Sequence, residues 1–382
     1  MSSYYPALNN VKKIAVLRAN ALGDFIVTLP AFKAIRNTYP DAEIVLLGKP
    51  WHKAFLVKER SPIDRVIVVP VKKGIRNEVN QVEKIGETEQ FFEEMQREQF
   101  DIAISFQGNG NSANPFIKRL GAKHTAGLWT EGAERLDQCL NYYYYQSETL
   151  RYMEVASLIG AAPASLEPKI NVLDEDKKEI EHFINELGNK PFIALHPIAT
   201  DIRRMWPIEN YAGLADALQK MGFQIVFTGS EDDRKMVDGI IADMKQPAFN
   251  VCGNFTLGGL AALLAKAALM ISADTGPLHL ARAVSTPTVG IYWAPNLINW
   301  GPVTRNIHRP VVSWNMACPF CGVIPNDPYP FKPVTTACNH AVSFVRDVTV
   351  DAVAEAVKGL LASANYVKTN NELHHVNREQ EI

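Results

Sequence analysis

The chain has 382 residues, a length that fits two domains, each large enough to bury a core of its own. Hydrophobic residues make up 47% and charged residues 21%, as in a globular protein and unlike a disordered or fibrous one. The formal net charge of -2 provides no overall positive field, so nucleic acid is not an expected partner.

The sequence also predicts the compartment of the protein. The opening residues, MSSYYPALNN, show no basic stretch followed by an apolar run, and Lys266 interrupts the most apolar segment, 260–273. Five cysteines are too few for a disulfide framework in a chain of this length, and they suit a reducing environment. We therefore expect a cytoplasmic protein that does not span a membrane.

Short apolar runs alternate with helical patterns in the first half of the chain. Residues 13–18 form a run of buried-strand length, and residues 24–39 show helical periodicity after a glycine-containing turn. Three further strands are predicted at 43–47, 66–69 and 101–105. Alternation of this kind predicts a parallel sheet with helices on both faces.

Two more segments complete this first unit, which is predicted to be a domain at 1–168. Residues 72–90 are rich in charged and amide side chains and only weakly periodic, which indicates a surface excursion. Residues 147–159 have helical spacing, and Gly160 and Pro163 then provide helix stop signals.

A second alternating series follows a predicted helix at 175–187. Its strands are predicted at 192–196, 224–228, 269–272 and 288–292. Its helices are predicted at 208–221, 232–244, 257–266 and 277–284. The series predicts a second doubly wound domain at 169–345, so the expected fold class is α/β.

The end of the chain, 346–382, is set apart from these two domains. An amphipathic helix is predicted at 348–361. The polar residues at 362–382 lack periodicity, which predicts disorder.

The first candidate site follows the first strand. Gly23 permits a sharp turn, and Asp24 lies at the start of the next helix, on the sheet edge where open α/β sheets bind ligands. An aspartate at a helix start is also a common N-cap, so a purely structural role stays open.

The second candidate site is Asp274, Thr275 and Gly276, between another strand and the next helix. Two side-chain oxygens and the N–H groups of a helix N-terminus suit a diphosphate. His279 lies one turn further on and is either part of this site or a core histidine.

Two other loops of the second domain supply further candidates. One contains the hydroxyl of Thr200 and the guanidinium groups of Arg203 and Arg204, which suit a leaving diphosphate, although adjacent arginines are also ordinary surface charge. In the other, Glu231 is placed at a strand end to bind ribose hydroxyls. Helix capping by Ser230 is the competing explanation for that segment.

Four residues near the C-terminus could bind a metal. A C-x-x-C pair and a C-x-H pair together offer the number of ligands that zinc requires. Their spacing does not match a standard zinc finger, so weakly interacting thiols are the preferred interpretation and zinc is the alternative. The four residues are Cys318, Cys321, Cys338 and His340.

The motifs, in this order, resemble glycosyltransferase family 9, the heptosyltransferases of the inner core of bacterial lipopolysaccharide. The resemblance covers 11–361 and is carried by Gly23-Asp24 with Thr28-Leu-Pro30, by Met205-Trp-Pro207 and by Asp274-Thr-Gly-Pro-Leu-His-Leu280. It implies a GT-B fold, in which two Rossmann-like domains face each other across a cleft and the last helix crosses back to the first domain.

The resemblance also implies an activity: an inverting transfer of a heptose that needs no metal or other cofactor. The expected partners are an ADP-sugar donor, bound mainly by the second domain, and a glycan or lipid-linked acceptor. A lipid-linked acceptor would bring the protein into peripheral contact with the cytoplasmic face of the inner membrane.

Functional residues follow from the same resemblance. Asp24 matches the proposed general base, Asp274 and the next two residues match the site of the donor diphosphate and sugar, and Glu231 matches the ribose ligand. Arg204 would stabilise the leaving diphosphate, and it stands where many relatives have lysine.

Two other functions stay open. A nucleotide-sugar epimerase of the same fold would convert its donor without an acceptor, and a non-catalytic nucleotide-sugar-binding protein would not need the acid at Asp24. A dehydrogenase is disfavoured, because neither domain's first strand is followed by a G-x-G-x-x-G motif.

Overall fold

A computed structural model describes residues 5–78, 80–163, 165–188, 190–324, 338 and 340–362. The chain divides into two compact units, Met1–Leu173 and Asp174–Ile382. Each unit contains a six-stranded sheet among these described residues.

The first unit is built on a parallel sheet. Its strands are β1 Lys13–Leu17, β2 Glu43–Gly48, β3 Arg65–Val68, β4 Ile102–Ser105, β5 His124–Trp129 and β6 Gln138–Asn141. They are arranged as β3-β2-β1-β4-β5-β6, with every neighbouring pair parallel. This is the strand order of the Rossmann fold. The residues of β1 after Lys13 are apolar and fully buried, as expected for a central strand covered on both faces.

Six α-helices accompany this sheet among the residues described for the first unit. They are α1 Leu22–Ile26, α2 Leu29–Thr38, α3 Pro50–Phe55, α4 Ile85–Arg97, α5 Ala113–Arg119 and α6 Glu148–Ser157. The prediction of a single helix at 24–39 is wrong, because the structure has two helices there, α1 and α2, separated by residues 27 and 28. Pro30 has no backbone N–H and therefore fits only the first turn of a helix, here that of α2.

The predicted surface excursion at 72–90 is also partly wrong. Lys72 and Arg76 form an antiparallel bridge, and Ile75 between them lies in the hydrophobic core. From Ile85 onward the segment belongs to α4, where Thr88 is buried. The many charges of this segment obscured the few apolar positions that attach it to the core.

The second unit repeats the same arrangement. Its strands are β7 Phe192–His196, β8 Gln224–Phe227, β9 Phe249–Asn250, β10 Leu269–Ala273, β11 Thr288–Trp293 and β12 His308–Ser313. All neighbours are parallel in the order β12-β11-β10-β7-β8-β9. Numbered within the unit, this is again the Rossmann order. The predicted α/β class with two doubly wound sheets is therefore confirmed.

Within the described part of the second unit, seven α-helices accompany the sheet. They are α7 Asp174–Leu187, α8 Glu209–Lys220, α9 Arg234–Ala242, α10 Leu257–Lys266, α11 Gly276–Ala283, α12 Ala294–Trp300 and α13 at 350–362. Thr256 caps α10, its hydroxyl accepting a hydrogen bond from the Gly259 N–H at 3.1 Å.

The last helix, α13, belongs to the core of the second unit. Its buried residues Val353, Val357 and Leu360 share one hydrophobic cluster with Leu214 and Leu218 of α8. Its apolar face covers part of that core. The expectation that this helix crosses back to the first domain stays a prediction. The disorder predicted at 362–382 concerns residues that, after 362 itself, lie outside the described part of the chain.

The helices that the structure describes include no candidate for a membrane-spanning segment. None of them combines the length and the apolar character required to cross a bilayer.

Candidate active site

Strand order defines one special position in each sheet. In the second unit β7 and β10 are neighbours. The chain goes from β7 to β8 on one side of this pair and from β10 to β11 on the other. Ligands of open α/β sheets bind beyond the carboxyl ends of the strands at this switch point. Arg204 lies in the loop that follows β7, and Asp274 immediately follows β10.

Asp274 is a buried polar group at this position, with 3% of its surface exposed. Its Oδ1 lies 3.0 Å from His279 Nε2, and its Oδ2 accepts a hydrogen bond from Asn296 Nδ2 at 2.8 Å. Burial opposes ionisation of the carboxyl, but the His279 hydrogen bond and the charge of Arg204 outweigh it and hold the pKa of Asp274 below its ordinary value. Asp274 is therefore a buried anion at neutral pH.

Arg204 connects this anion to the surface of the site. Its Nη1 donates to the main-chain oxygen of Asp274 at 3.1 Å and lies 3.6 Å from Oδ2 of the same residue. About 29% of the Arg204 side chain is exposed, so a ligand can reach it. A guanidinium held in this way is a positioned cation at the carboxyl edge of the sheet.

A second arginine supports the other side of His279. Arg282 is buried, and its Nη1 lies 3.3 Å from His279 Nδ1. Since an arginine can only donate, Nδ1 accepts, and the ring hydrogen is left on Nε2, which faces Asp274. His279 is thus a fixed hydrogen-bond donor to Asp274.

The helix start beside Asp274 offers backbone N–H groups. α11 begins at Gly276, and Thr275 is its N-cap. The Thr275 hydroxyl is engaged with the Ser272 hydroxyl at 2.9 Å and does not cap the helix. First-turn N–H groups have no acceptor within their own helix, and together with the helix dipole they favour an anion.

The other predicted donor residues of this unit lie in different surroundings. Arg203 pairs with Asp201, its Nη2 lying 2.6 Å from Oδ2, whereas Arg204 points to Asp274. Thr200 is exposed in the same loop. Glu231 is exposed after β8, and it binds Arg234 through both oxygens at 2.8 and 2.9 Å.

The segment that contains Glu231 also includes the capping interaction that the sequence left open. The Ser230 hydroxyl donates to Asp233 Oδ2 at 2.6 Å, and the Ser230 N–H donates to the same oxygen at 2.7 Å. The Asp233 carboxylate therefore completes the cap at Ser230, and the Glu231 carboxylate stays on the surface.

Asp24 lies at the corresponding switch point of the first unit, after β1. It is the third residue of α1, and its Oδ2 accepts a hydrogen bond from the Ala21 N–H at 3.3 Å. The expected N-cap position is therefore wrong by three residues, although the carboxylate still satisfies a backbone donor of the first turn. Gly23 lies inside α1, so the sharp turn expected there is also wrong.

Arg18 fixes the surroundings of Asp24, and sequence analysis did not single it out. It is buried, and its Nη1 donates to the Phe106 oxygen at 2.6 Å and to Tyr152 Oη at 2.7 Å. Its Nη2 lies 3.8 Å from Asp24 Oδ1 and 3.7 Å from Glu148 Oε2. An arginine at the end of an apolar strand was the available signal, because such a charge needs partners when buried.

Trp206, the centre of the Met205-Trp-Pro207 motif, has a structural role. The indole is fully buried in the core, and its Nε1 donates to the Val348 oxygen at 2.8 Å. It also packs edge-to-face on Tyr211, with ring centroids 5.0 Å apart. The motif therefore anchors the loop that presents Arg204.

A pocket of about 620 Å³ elsewhere in the second unit does not coincide with these residues. Its lining includes Lys190, which precedes β7, and Gln224, the first residue of β8. The pocket therefore opens at the amino ends of the strands, the edge opposite to the one where α/β sheets bind nucleotides.

Comparison with known proteins gives consistent results at three levels. The glycosyltransferase family 9 (heptosyltransferase) model matches residues 88–319, more than half of the chain. Lipopolysaccharide heptosyltransferase 3 of Escherichia coli K12 is 24% identical over 299 residues, which cover 75% of this chain and 83% of that protein.

Solved structures support the fold. A family 9 glycosyl transferase of Veillonella parvula has a TM-score of 0.73 at 22% identity, with 92% of this chain and 97% of that chain covered. ADP-heptose lps heptosyltransferase II of Escherichia coli has a TM-score of 0.67 at 18% identity, with 93% of this chain and 99% of that chain covered.

Fold and family match together define an enzyme of the glycosyltransferase class with the GT-B fold. More narrowly, the chain belongs to glycosyltransferase family 9, the heptosyltransferase family.

Proposed function

We propose that this enzyme transfers a heptose from an ADP-heptose donor to a sugar hydroxyl of a lipopolysaccharide core, with inversion at the anomeric carbon. The observation that carries the proposal is the Arg204–Asp274 pair at the switch point of the second sheet. The names of two relatives support the substrate classes, since one specifies ADP-heptose and both specify lipopolysaccharide.

The second unit supplies the groups that a nucleotide diphosphate requires. Arg204 is a partly exposed cation beside the N-terminus of α11, and Gly276 presents a backbone N–H there. We assign the diphosphate to this position because both features attract negative charge and neither needs a metal ion. As charge grows on the departing ADP, Arg204 stabilises it.

Asp274 keeps this arrangement in place. Its carboxylate and main-chain oxygen hold the Arg204 guanidinium, and His279 with Asn296 hold the carboxylate. Asp274 and His279 are buried, so we assign them to the orientation of Arg204 and of the donor, together with Thr275 at the helix start. This is a pre-organised site, which spends no binding energy on ordering its own side chains.

Glu231 is proposed to bind the ribose of the donor. Its carboxylate is exposed at the end of β8, a position where acidic residues accept hydrogen bonds from ribose hydroxyls. Arg234 holds this carboxylate and keeps the pKa of Glu231 below its ordinary value. Glu231 is thus an ionised acceptor before the nucleotide arrives.

The first unit supplies the base. We assign Asp24 to accept the proton of the attacking acceptor hydroxyl, whose oxygen forms the new bond to the anomeric carbon. The bond between that carbon and the diphosphate oxygen breaks at the same time, and its electron pair leaves with ADP. Asp24 suits this role because 29% of its side chain is exposed and the buried Arg18 sits beside it.

Localisation follows from this function as a further proposal. Lipopolysaccharide acceptors are lipid-linked, so the enzyme would work in the cytoplasm in peripheral contact with the inner membrane. Flotation with vesicles of anionic lipid tests this contact. Protein that stays with the soluble fraction in the presence and absence of acceptor would contradict it.

Calorimetry of nucleotide binding tests the donor directly. We expect ADP to bind more tightly than UDP or GDP, and Arg204→Ala to weaken that binding. Preference for UDP or GDP would refute the proposed donor. Incubation of ADP-heptose with and without a core acceptor then separates transfer, which requires the acceptor, from epimerisation, which does not.

A further inference from the structure

The four potential metal ligands near the C-terminus come together in space. One ligand atom from each of Cys318, Cys321, Cys338 and His340 lies within 4.8 Å of the others. The two pairs are separated in sequence by 16 residues, so local chain geometry does not force this arrangement. Three sulfurs and one imidazole nitrogen in one place are the ligand set of a structural zinc site.

The distances inside the group fit a metal better than they fit hydrogen bonds. His340 Nδ1 lies 3.7 Å from Cys318 Sγ and 3.6 Å from Cys338 Sγ. Zinc bonds of about 2.3 Å to sulfur and about 2.0 Å to nitrogen, at tetrahedral angles, separate the two ligand atoms by about 3.5 Å. A neutral imidazole nitrogen has one lone pair, so it cannot accept a hydrogen bond from both thiols. A metal between the three atoms satisfies them together.

The backbone around Cys318 is shaped for this role. The Cys318 N–H donates to the Val323 oxygen at 2.7 Å, and the Gly322 N–H donates to the Cys318 oxygen at 2.9 Å. Gly322 takes a positive φ of +71°, which lets the chain reverse directly after Cys321. This tight turn aims both cysteines of the C-x-x-C pair at the same point.

The imidazole is also held in place. Phe320 stacks on the His340 ring with centroids 5.4 Å apart and planes 21° apart. Cys318 is buried in the hydrophobic cluster of the second unit, whereas Cys321 and His340 are exposed. The group therefore connects the core to a surface turn.

We propose that Cys318, Cys321, Cys338 and His340 bind one zinc ion that has a structural role. Four protein ligands complete the tetrahedral coordination of zinc and leave no open position for a substrate, so the ion does not enter the transfer reaction. Binding releases the protons of the three thiols, which coordinate as thiolates. The neutral imidazole contributes Nδ1.

A structural zinc ion here would stabilise the loop of the candidate donor site. The chain returns from His340 to Phe344, whose N–H donates to the Arg203 oxygen at 2.8 Å. The Phe344 oxygen accepts from the Ser313 hydroxyl at 2.8 Å, and its ring packs edge-to-face on Trp293. Fixing residues 338 and 340 would therefore restrain the segment before Phe344, which contacts the main chain of Arg203, the neighbour of Arg204.

Elemental analysis of the purified full-length protein tests the proposal. We expect about one zinc ion per chain after dialysis, and less than about a tenth of that in Cys321→Ser. Cys321 is exposed, so its replacement leaves the core intact. Cys139→Ser is the matched control, because Cys139 lies on β6 outside the group and should keep full zinc.

A second measurement keeps the test independent of how the protein was produced. Cobalt(II) added to metal-free protein should give the intense absorption of a tetrahedral thiolate site in wild type and Cys139→Ser, and not in Cys321→Ser. Wild-type protein that neither contains zinc nor produces this spectrum would overturn the proposal. Iron found in place of zinc would overturn the choice of metal, and full zinc in Cys321→Ser would overturn the ligand set.

Discussion

Arg204 Nη1 donates to the main-chain oxygen of Asp274 at 3.1 Å and lies 3.6 Å from its Oδ2, although 70 residues separate the two in sequence. One residue follows β7 and the other follows β10, so the contact exists only because these strands are neighbours. The pair places a cation at the sheet edge and supplies its counter-charge from within the unit.

Replacement of Arg204 should therefore weaken donor binding. Arg204→Ala should reduce ADP affinity about 10- to 100-fold, as expected for a lost hydrogen bond to a charged group. Arg204→Lys should recover part of it, because the charge remains but the forked geometry does not. Calorimetry measures both variants. Arg203→Ala is the control, since that side chain pairs with Asp201, and an equal loss there would contradict the distinction.

Asp24→Asn should separate chemistry from binding. The amide oxygen can still accept from the Ala21 N–H, so α1 should persist. Without a general base, turnover should fall by about 10²- to 10⁴-fold while ADP affinity stays unchanged. Transfer kinetics and calorimetry together provide the test, with the exposed Asp41→Asn as control. An equal fall in ADP affinity would show that Asp24 has a structural role.

His279 should stabilise the fold through Asp274. His279→Leu leaves a buried carboxylate without its main donor and should lower the free energy of unfolding by about 2 to 3 kcal/mol. His279→Gln retains an N–H donor and should recover part of this loss. Urea denaturation compares the two. Equal stability of the leucine and glutamine variants would refute the role of the hydrogen bond.

His196 should make the second unit sensitive to acid. Burial lowers its pKa to about 4, and its Nδ1 lies 2.9 Å from the Thr228 oxygen. In the unfolded chain this histidine has a pKa of about 6.5, so above that pH its neutral ring gives its full contribution to the free energy of unfolding. This contribution is lost as the pH falls towards about 4, by up to about 3 kcal/mol.

His196→Asn tests this pH dependence. The asparagine keeps an N–H group for the Thr228 oxygen and has no titrating ring. Its melting temperature should therefore fall less than that of wild type between about pH 7 and about pH 5. His182→Asn removes an exposed histidine and should behave as wild type. Parallel curves for all three proteins would refute the assignment to His196.

Sequence patterns predicted the centre of each sheet better than its edges. The bounds of β7 were predicted correctly, because a strand covered on both faces is apolar along its whole length. β5, β6, β9 and β12 were not predicted; β6, β9 and β12 lie at sheet edges and β5 next to one, whereas the edge strand β3 was predicted. Edge strands contain polar residues, and β12 even includes Pro310, which lacks the N–H of a central strand.

The candidate site shows the same division between local and long-range information. Asp274 was found because polar residues directly follow an apolar strand at a helix start. Asn296, which holds the same carboxylate, follows a later strand 22 positions further on, and nothing in the sequence between them indicates the contact. Arg18 was missed for a related reason, since its partners Phe106 and Tyr152 come from distant parts of the chain.

The burial of Trp206 bears on how relatives of this enzyme are recognised. The indole anchors the Arg204 loop to the core, so we expect the requirement to fold to preserve the tryptophan even without activity. The basic residue two positions earlier has no such protection, because it is partly exposed. A chain that has lost transferase activity would therefore keep the Trp-Pro pair and lose the cation. If Arg204 has the proposed role, we expect position 204, and not the buried tryptophan, to differ between active and inactive chains.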